Sequence, residues 1–366
     1  MYLRQISINN FKNLEQVDLH FSQNLNCLVG NNGEGKTNLL DAIHYLSITK
    51  SFFNNTDQQN IRHGENYFIL KGDFVRKNND EKIYCGVQRG EKILKRNDKQ
   101  YSRFADHIGL IPLVMISPTD ISLINDSGDE RRRYINNVLS QLDVIYLENI
   151  IKYNRILMQR NKLLKQIQKS DDVIAVLNEQ LSEHAKIIHQ KRKQFITEIQ
   201  PYFTQVYKQV SNEEEQVSLT YKSDLNDGDF IDLLERSFEK DRILQHTTVG
   251  IHRDDIVMQM NGYPIKKIGS QGQQKTFLIA LKLTQFNFFK QQTDISPILL
   301  LDDIFDKLDI HRVEHLISLV SGNDFGQIFI TDSNKTRLDK ILEQQKNSFS
   351  LFNVNKGEIK ESNGKN

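Results

Sequence analysis

Cysteine is scarce: two residues in 366, Cys27 and Cys85, widely separated. That excludes a disulfide framework or a cysteine-rich metal site, and a reducing cytosol fits. Long hydrophobic runs are missing too; nothing approaches the roughly 18 apolar residues of a membrane span. The opening Met1-Tyr2-Leu3-Arg4 alternates like a strand and lacks the apolar core of a signal peptide. A cytoplasmic protein with no membrane partner is expected. Nor is there an excess of either charge. Lys plus Arg number 48 and Asp plus Glu 47, a net charge of +1, so any nucleic-acid contact must come from a local patch. No internal repeat or low-complexity block appears, and the length suits two or three units at about 150 residues per domain.

What is present begins with Gly30-Asn31-Asn32-Gly33-Glu34-Gly35-Lys36-Thr37, a complete P-loop. Residues 25–29 form an apolar run that reads as a buried strand, and residues 38–47 carry apolar side chains at helical spacing. A loop between strand and helix lets its glycines wrap a phosphate chain, with backbone N–H groups and the positive end of the helix dipole facing the anion. Lys36 would reach the β- and γ-phosphates, and the Thr37 hydroxyl would ligate Mg²⁺. The plainer alternative, a glycine-rich turn before a helix, leaves the Lys-Thr pair at this offset without a reason.

Two later motifs narrow the class. Ile298-Leu299-Leu300-Leu301-Asp302-Asp303 reads as a central parallel strand delivering two acids to a sheet edge. Asp302 would hold Mg²⁺, directly or through water, while Asp303 would orient or deprotonate the attacking water. Gly269-Ser270-Gln271-Gly272-Gln273-Gln274-Lys275 opens an apolar-periodic helix, and its start is a second candidate phosphate site. Because the chain already has a P-loop, a second such start makes sense if it serves the nucleotide of another copy. The plainer alternative is an N-cap serine with a glycine in the first turn.

Along the chain, residues 1–118 read as short strands around one helix: 2–8, 25–29, 67–76, 82–88 and 110–116, with a hairpin turn at Gln88-Arg89-Gly90-Glu91. Residues 119–212 turn helical, with long stretches at 144–168 and 171–200 that suggest an antiparallel pair; Ser170-Asp171-Asp172 marks its tip or a helix boundary. Strand character returns at 217–221, 255–260 and 327–331, and the polar residues after Lys356 are expected to fray.

The order P-loop, Ser-Gln-Gly-Gln-Gln, Leu-Leu-Leu-Asp-Asp resembles the head of ABC-type ATPases, the group that holds transporters, structural-maintenance-of-chromosomes proteins and DNA-repair ATPases. Within it the chain resembles the RecF family of bacterial recombination and gap-repair proteins. That closer likeness rests on Ile8-Asn9-Asn10-Phe11-Lys12-Asn13-Leu14, residues 30–38, Lys50-Ser51-Phe52, Val249-Gly250-Ile251-His252-Arg253-Asp254-Asp255, residues 270–275 and residues 300–309, and spans residues 1–334.

The resemblance implies an α/β fold: an ABC-type ATPase head of two lobes, a P-loop parallel sheet plus an antiparallel β-subdomain, with an inserted antiparallel helical arm. Residues 1–118 would be the N-terminal part of the head, 119–212 the arm, and 213–366 the C-terminal part. It implies ATP and Mg²⁺, with ATP sandwiched in an ATP-dependent homodimer whose Ser270, Gln271 and Gly272 complete the partner's site. Asp306-Lys307-Leu308-Asp309 would fall at the dimer seam. It further implies weak, DNA-stimulated ATP hydrolysis, gapped or duplex DNA as the target, and the mediators RecO and RecR helping RecA to load. Two departures stand out. Asp303 replaces the glutamate common in ABC heads, and Thr331 and Asp332 fall where many carry a switch histidine. Gln58 and Gln59 are both candidates for the family's glutamine near the P-loop.

For DNA, Arg131-Arg132-Arg133 opens a helix, where positive charge opposes the dipole, and Lys186, Lys191, Arg192 and Lys193 cluster on the arm. Either could meet phosphates; the alternative is a solvated face paired with acids such as Glu130 and Glu183. His252-Arg253-Asp254-Asp255 is either a ligand contact or a turn whose charges hold the structure together. Rival functions are a chromosome or end-repair ATPase with long coiled coils, disfavoured by the short arm, and a transporter or translation-factor ATPase, disfavoured by the helical insertion.

Overall fold

Alternation of apolar and polar residues builds the first sheet. β1 (Tyr2–Phe11) buries Leu3, Ile6, Ile8 and Phe11, and β2 (Leu14–His20) buries Leu14, Val17 and Leu19. β3 (Leu25–Val29) is buried along its whole length and leads into α1 (Lys36–Ile48). Then come β4 (Tyr67–Arg76), β5 (Asn79–Gln88), β6 (Glu91–Arg96), β7 (Lys99–Gln100) and β8 (Leu113–Ile116). The computed structural model describes residues 1–166, 171–211, 215–305, 325–334 and 349–362. The chain divides into one unit of Met1–Asp120 with Gln285–Asn366 and a second of Ile121–Thr284.

In the second unit, α2 (Ser122–Asn125) and α3 (Gly128–Leu142) precede the long helices α4 (Val144–Leu164) and α5 (Asp171–Ser211). β9 (Val217–Lys222), α6 (Phe230–Arg236), α7 (Phe238–Leu244), β10 (Asp255–Met260), β11 (Tyr263–Pro264) and α8 (Ile265–Ile268) follow, and α9 (Gln271–Thr293) begins there. The first unit resumes with β12 (Ile298–Asp302), β13 (Ile328–Asp332), β14 (Phe349–Asn355) and β15 (Glu358–Glu361).

The first unit holds an antiparallel sheet, order β2-β1-β4-β5-β6-β7, and a second sheet, order β15-β14-β3-β13-β12-β8. In the second, β8, β12, β13, β3 and β14 are parallel and β15 returns antiparallel. α1 is buried nearly all round: Leu39, Leu40, Ala42, Ile43, Tyr45 and Leu46 share one core with residues of both sheets. Each such aliphatic or aromatic side chain contributes about 1.5–3 kcal/mol on burial. This core fixes the start of α1 against the carboxyl ends of the parallel strands, the edge where ligands bind in such sheets.

In the second unit α4 and α5 run antiparallel, as cross-bonds from Arg160 to Asn178, His184 to Asn149 and Arg192 to Tyr146 show. Two buried ion pairs tie these helices to later segments. Arg160 donates to Asp241 at 2.8 Å, both side chains 0% exposed, and Arg192 donates to Asp254 at 2.6 Å. Among the described residues no helix is long and apolar enough to cross a membrane. Both cysteines are free and buried.

Several expected elements shift. β1 runs on to Phe11 and β5 begins at Asn79, while the expected hairpin turn joins β5 to β6 through Arg89 and Gly90, both at positive φ. α5 continues past Pro201 to Ser211 because Phe203, Tyr207 and Val210 prolong its buried face. Ser170 lies outside the described residues. The chain on either side of residue 212, expected to divide there, falls in one unit: the Gln200 side chain bonds both Val217 O and Leu219 N, joining α5 to β9. Residues 358–361 are a strand instead of a frayed end. Buried Phe352 and Val354 anchor β14, and Lys356 and Gly357, at φ of 49° and 85°, form a tight turn.

Removing one partner of a buried pair leaves an uncompensated charge, at a cost of about 3–5 kcal/mol. Asp241→Ala is therefore expected to lose stability on that scale in urea unfolding, whereas a loss below about 1 kcal/mol, typical of exposed pairs, would remove Arg160–Asp241 from the core of the second unit.

Candidate nucleotide site

The chain leaves β3 at the sheet's carboxyl edge and turns through residues 30–35 into α1. Gly33 and Gly35 take φ of 84° and 119°, a region that strains any residue with a Cβ. At Gly35 space is lacking as well, since a Cβ would sit 2.9 Å from Asn13 Oδ1. Such a loop presents backbone N–H groups and the positive helix end together. Asn31, Asn32 and Gly33 are exposed, Glu34 and Thr37 half-buried, and Lys36 only 6% exposed.

Lys36 Nζ donates to the carbonyl oxygens of Gly30 at 2.7 Å and Asn31 at 2.9 Å. Burial lowers its pKa, against the opposing effect of Asp303, Asp302, Asp332 and Glu34. The loop thus holds a desolvated ammonium near four carboxylates.

Asp302 closes β12 and is buried. Its Oδ1 accepts from two hydroxyls, Thr37 Oγ1 and Thr331 Oγ1, each at 2.9 Å. Thr331 Oγ1 in turn accepts from the Asp303 N–H at 2.9 Å. Burial pushes the Asp302 carboxyl above its ordinary range; the bonds from Thr331 and Thr37 pull it back, and Asp303 pushes it further up. Asp303 itself takes a left-handed φ of 47° and is half-buried. Hard oxygens from a hydroxyl and a carboxylate therefore meet at one point, 2.9 Å apart, from residues distant in sequence.

Ser270 and Gln271 are exposed in the second unit. Ser270 caps α9 reciprocally: Gln273 N donates to Ser270 Oγ at 3.2 Å, and Ser270 N donates to Gln273 Oε1 at 2.8 Å, a capping box. Gly272 lies in the first turn of that helix. Gln58 and Gln59 are both exposed, and Gln59 Oε1 accepts from Thr56 N. Asp306 and Asp309 lie outside the described residues.

The basic clusters divide between the two roles open to them. Arg192 is 1% exposed and bonded to Asp254, Ile251 O, Tyr146 and Asn136, so it cannot reach a phosphate without breaking the core. Arg131 forks onto Asp255, Arg132 bonds Asp254 O and Asp129, and Arg133 pairs with Glu130. Lys191 pairs with Asp143 and Lys186 with Asp229. Lys193 is exposed. Of the segment His252-Arg253-Asp254-Asp255, the side chains of His252, Asp254 and Asp255 are bound into the same network and Arg253 is exposed. His252 contacts Tyr153 OH and Thr247 O, and burial lowers its pKa to about 4. Lys12 Nζ, Ser51 Oγ and Phe52 N all converge on buried Asp41, which links two of the motif segments beside α1. Sequence reasoning singled out neither Asp41 nor Arg160, because nothing local marks either.

A P-loop at the carboxyl edge of a parallel sheet, with a carboxylate from the neighbouring strand on its threonine, defines an ATPase head. The chain matches the RecF/RecN/SMC N terminal domain model over residues 2–360. It is 48% identical over 364 residues to the DNA replication and repair protein RecF of Bacteroides thetaiotaomicron, covering 99% of each chain. Against the RecF of Flavobacterium johnsoniae it is 44% identical over 359 residues, covering 97% of this chain and 100% of that one. A solved structure of the recombination mediator protein RecF with ATP, in the RecFOR pathway, superposes with a TM-score of 0.89 at 28% identity, covering 99% of this chain and 98% of that one. An Smc head bound to the C-winged helix domain of ScpA shares the fold, with a TM-score of 0.59 at 15% identity over 99% of this chain and 97% of that one. The chain belongs to the RecF family of DNA replication and repair proteins.

Because its folded pKa is raised above the ordinary 3.8, ionised Asp302 costs stability at neutral pH, and that cost fades as pH falls through the folded pKa. Nucleotide-free Asp302→Asn is thus expected to unfold at higher urea than wild type at pH 7, with the gain shrinking in acid. An equal midpoint at both pH values would contradict the buried-charge account.

Proposed function

We propose that this chain is an ATP-driven clamp on gapped or duplex DNA in replication-linked recombinational repair. The observation that carries the nucleotide part is the meeting of Thr37 and Asp302 beside Lys36 at one sheet edge. In this reading residues 30–37 wrap the phosphates of ATP, Lys36 exchanges its carbonyl partners for β- and γ-phosphate oxygens, and Thr37 and Asp302 hold Mg²⁺. The fit to the metal is chemical: the Thr37 hydroxyl and the Asp302 carboxylate are hard oxygen donors of the kind Mg²⁺ takes, and the fold brings them together. Bound there, Mg²⁺ would neutralise developing phosphate charge.

Asp303 orients or deprotonates the attacking water. Its backbone N–H on Thr331 supports that placement by fixing the residue's own backbone. Ser270, Gln271 and Gly272 act in trans on the ATP of a second copy. The exposure of Ser270 and Gln271 at a helix start, where first-turn N–H groups have no intrahelical partner and suit an anion, supports this. Closure grips DNA and slow, DNA-stimulated hydrolysis releases it; the mediators RecR and RecO, which the RecFOR relative's pathway suggests, would then hand the site to RecA. Of the basic residues, Arg133, Lys191 and Lys193 keep a claim to a DNA phosphate, since their side chains reach the surface, whereas Arg131 and Arg132 are engaged with Asp255 and with Asp254 O. No observation favours a transporter or a long-coiled-coil reading.

Three substitutions separate the parts. Lys36→Ala should abolish ATP-dependent dimerisation in light scattering. Ser270→Arg should bind ATP as a monomer with wild-type affinity yet fail to dimerise; collapse of monomer affinity would place Ser270 in its own site. Asp303→Asn should bind ATP, dimerise and turn over at least about 100-fold more slowly, and wild-type turnover would remove it from the water-activating role.

A further inference from the structure

The C-terminal hairpin is built into the outer wall of the P-loop. Gly357, in the turn between β14 and β15, donates its N–H to the carbonyl oxygen of Glu34 at 2.8 Å. Asn13 Nδ2 donates to that same oxygen at 3.1 Å, and Asn38 Nδ2 holds Asn13 Oδ1 at 2.7 Å. The N–H of Lys356 bonds the Glu34 carboxylate. The fit leaves no slack: a Cβ on Gly357 would lie 2.4 Å from Asn13 O, and one on Gly30 would lie 2.3 Å from Val354 O. Gly357 also takes a φ of 85°, which favours glycine.

A trans peptide points its C=O and N–H in opposite directions. With the Glu34 carbonyl drawn towards Asn13 and the hairpin by two donors, the N–H of Gly35 must point away from the hairpin. We infer that Asn13 and the Lys356-Gly357 turn are positioning residues that orient the Glu34–Gly35 peptide and so aim the Gly35 N–H at the phosphates of the nucleotide. The inference rests on ATP occupying the P-loop. It gives the last strands of the chain a part in nucleotide affinity, although they carry none of the motif residues.

The test is ATP affinity, by titration of the full chain with a fluorescent ATP analogue, together with KM and kcat, for Asn13→Ala, Gly357→Ala and the double variant. Each single change is expected to weaken binding and raise KM about tenfold with kcat nearly unchanged, because the contact is made equally in the ground and transition states. The double variant should be little worse than the weaker single one, since both donors serve one oxygen. Thermal melting of the nucleotide-free proteins separates this from unfolding, and Asn13→Ala carries the test if Gly357→Ala does not fold. Wild-type affinity in well-folded Asn13→Ala, or fully additive losses, would overturn the inference. Wild-type affinity in Lys36→Ala would instead overturn the P-loop reading on which it rests.

Discussion

Everything at the nucleotide site depends on one buried carboxylate oxygen. Asp302 Oδ1 collects the hydroxyls of Thr37 and Thr331, and Thr331 passes the chain on to the Asp303 N–H. β13 lies between β3 and β12, and this short relay pins the neighbouring ends of β12 and β13 to the first turn of α1. Water is kept from the carboxylate, and two donors compensate for it. Burial still prevails, which leaves Asp302 with a raised pKa and a site better suited to a cation than to solvent. Lys36 mirrors this state: a buried ammonium bonded to two carbonyls, awaiting stronger anionic partners.

The second unit uses buried charge differently. Arg160 and Arg192 are among its most buried side chains, and their acids come from segments far along the chain. Such pairs contribute little net stability against an apolar substitute but are costly to break. Arg160 joins α4 to Asp241 in α7 and Arg192 joins α5 to Asp254, while Tyr153 of α4 bonds His252 and Arg131 of α3 bonds Asp255. His252, Asp254 and Asp255 are thereby part of a fixed scaffold, which gives this run of charges a structural role.

The nucleotide site was legible because its chemistry is local. A glycine pattern, a Lys-Thr pair and an apolar run ending in two acids each state their role within a few residues. Four of the parallel strands followed from apolar runs and the long helices from periodicity, whereas β14, parallel to β3, went unread. The basic clusters stayed open because charge on paper does not show its partner: Arg133 finds Glu130, as the alternative had it, while Arg131 finds Asp255 and Arg192 finds Asp254, pairings that only the fold creates. The C-terminal hairpin was missed because a polar strand after Lys356 looks like a tail until Gly357 is seen against the P-loop. The helix expected over 171–200 runs on through Pro201, since the buried face of α5 continues beyond it.

The account's central claim is that ATP closes a clamp on DNA. Its most direct test is fluorescence anisotropy of a labelled gapped duplex titrated with Asp303→Asn protein, with and without ATP and Mg²⁺, across a salt series. Tight binding that requires both, and whose logarithm falls linearly with the logarithm of salt concentration as phosphate contacts demand, is the predicted result. Equal binding with and without ATP, or none under any condition, would contradict it.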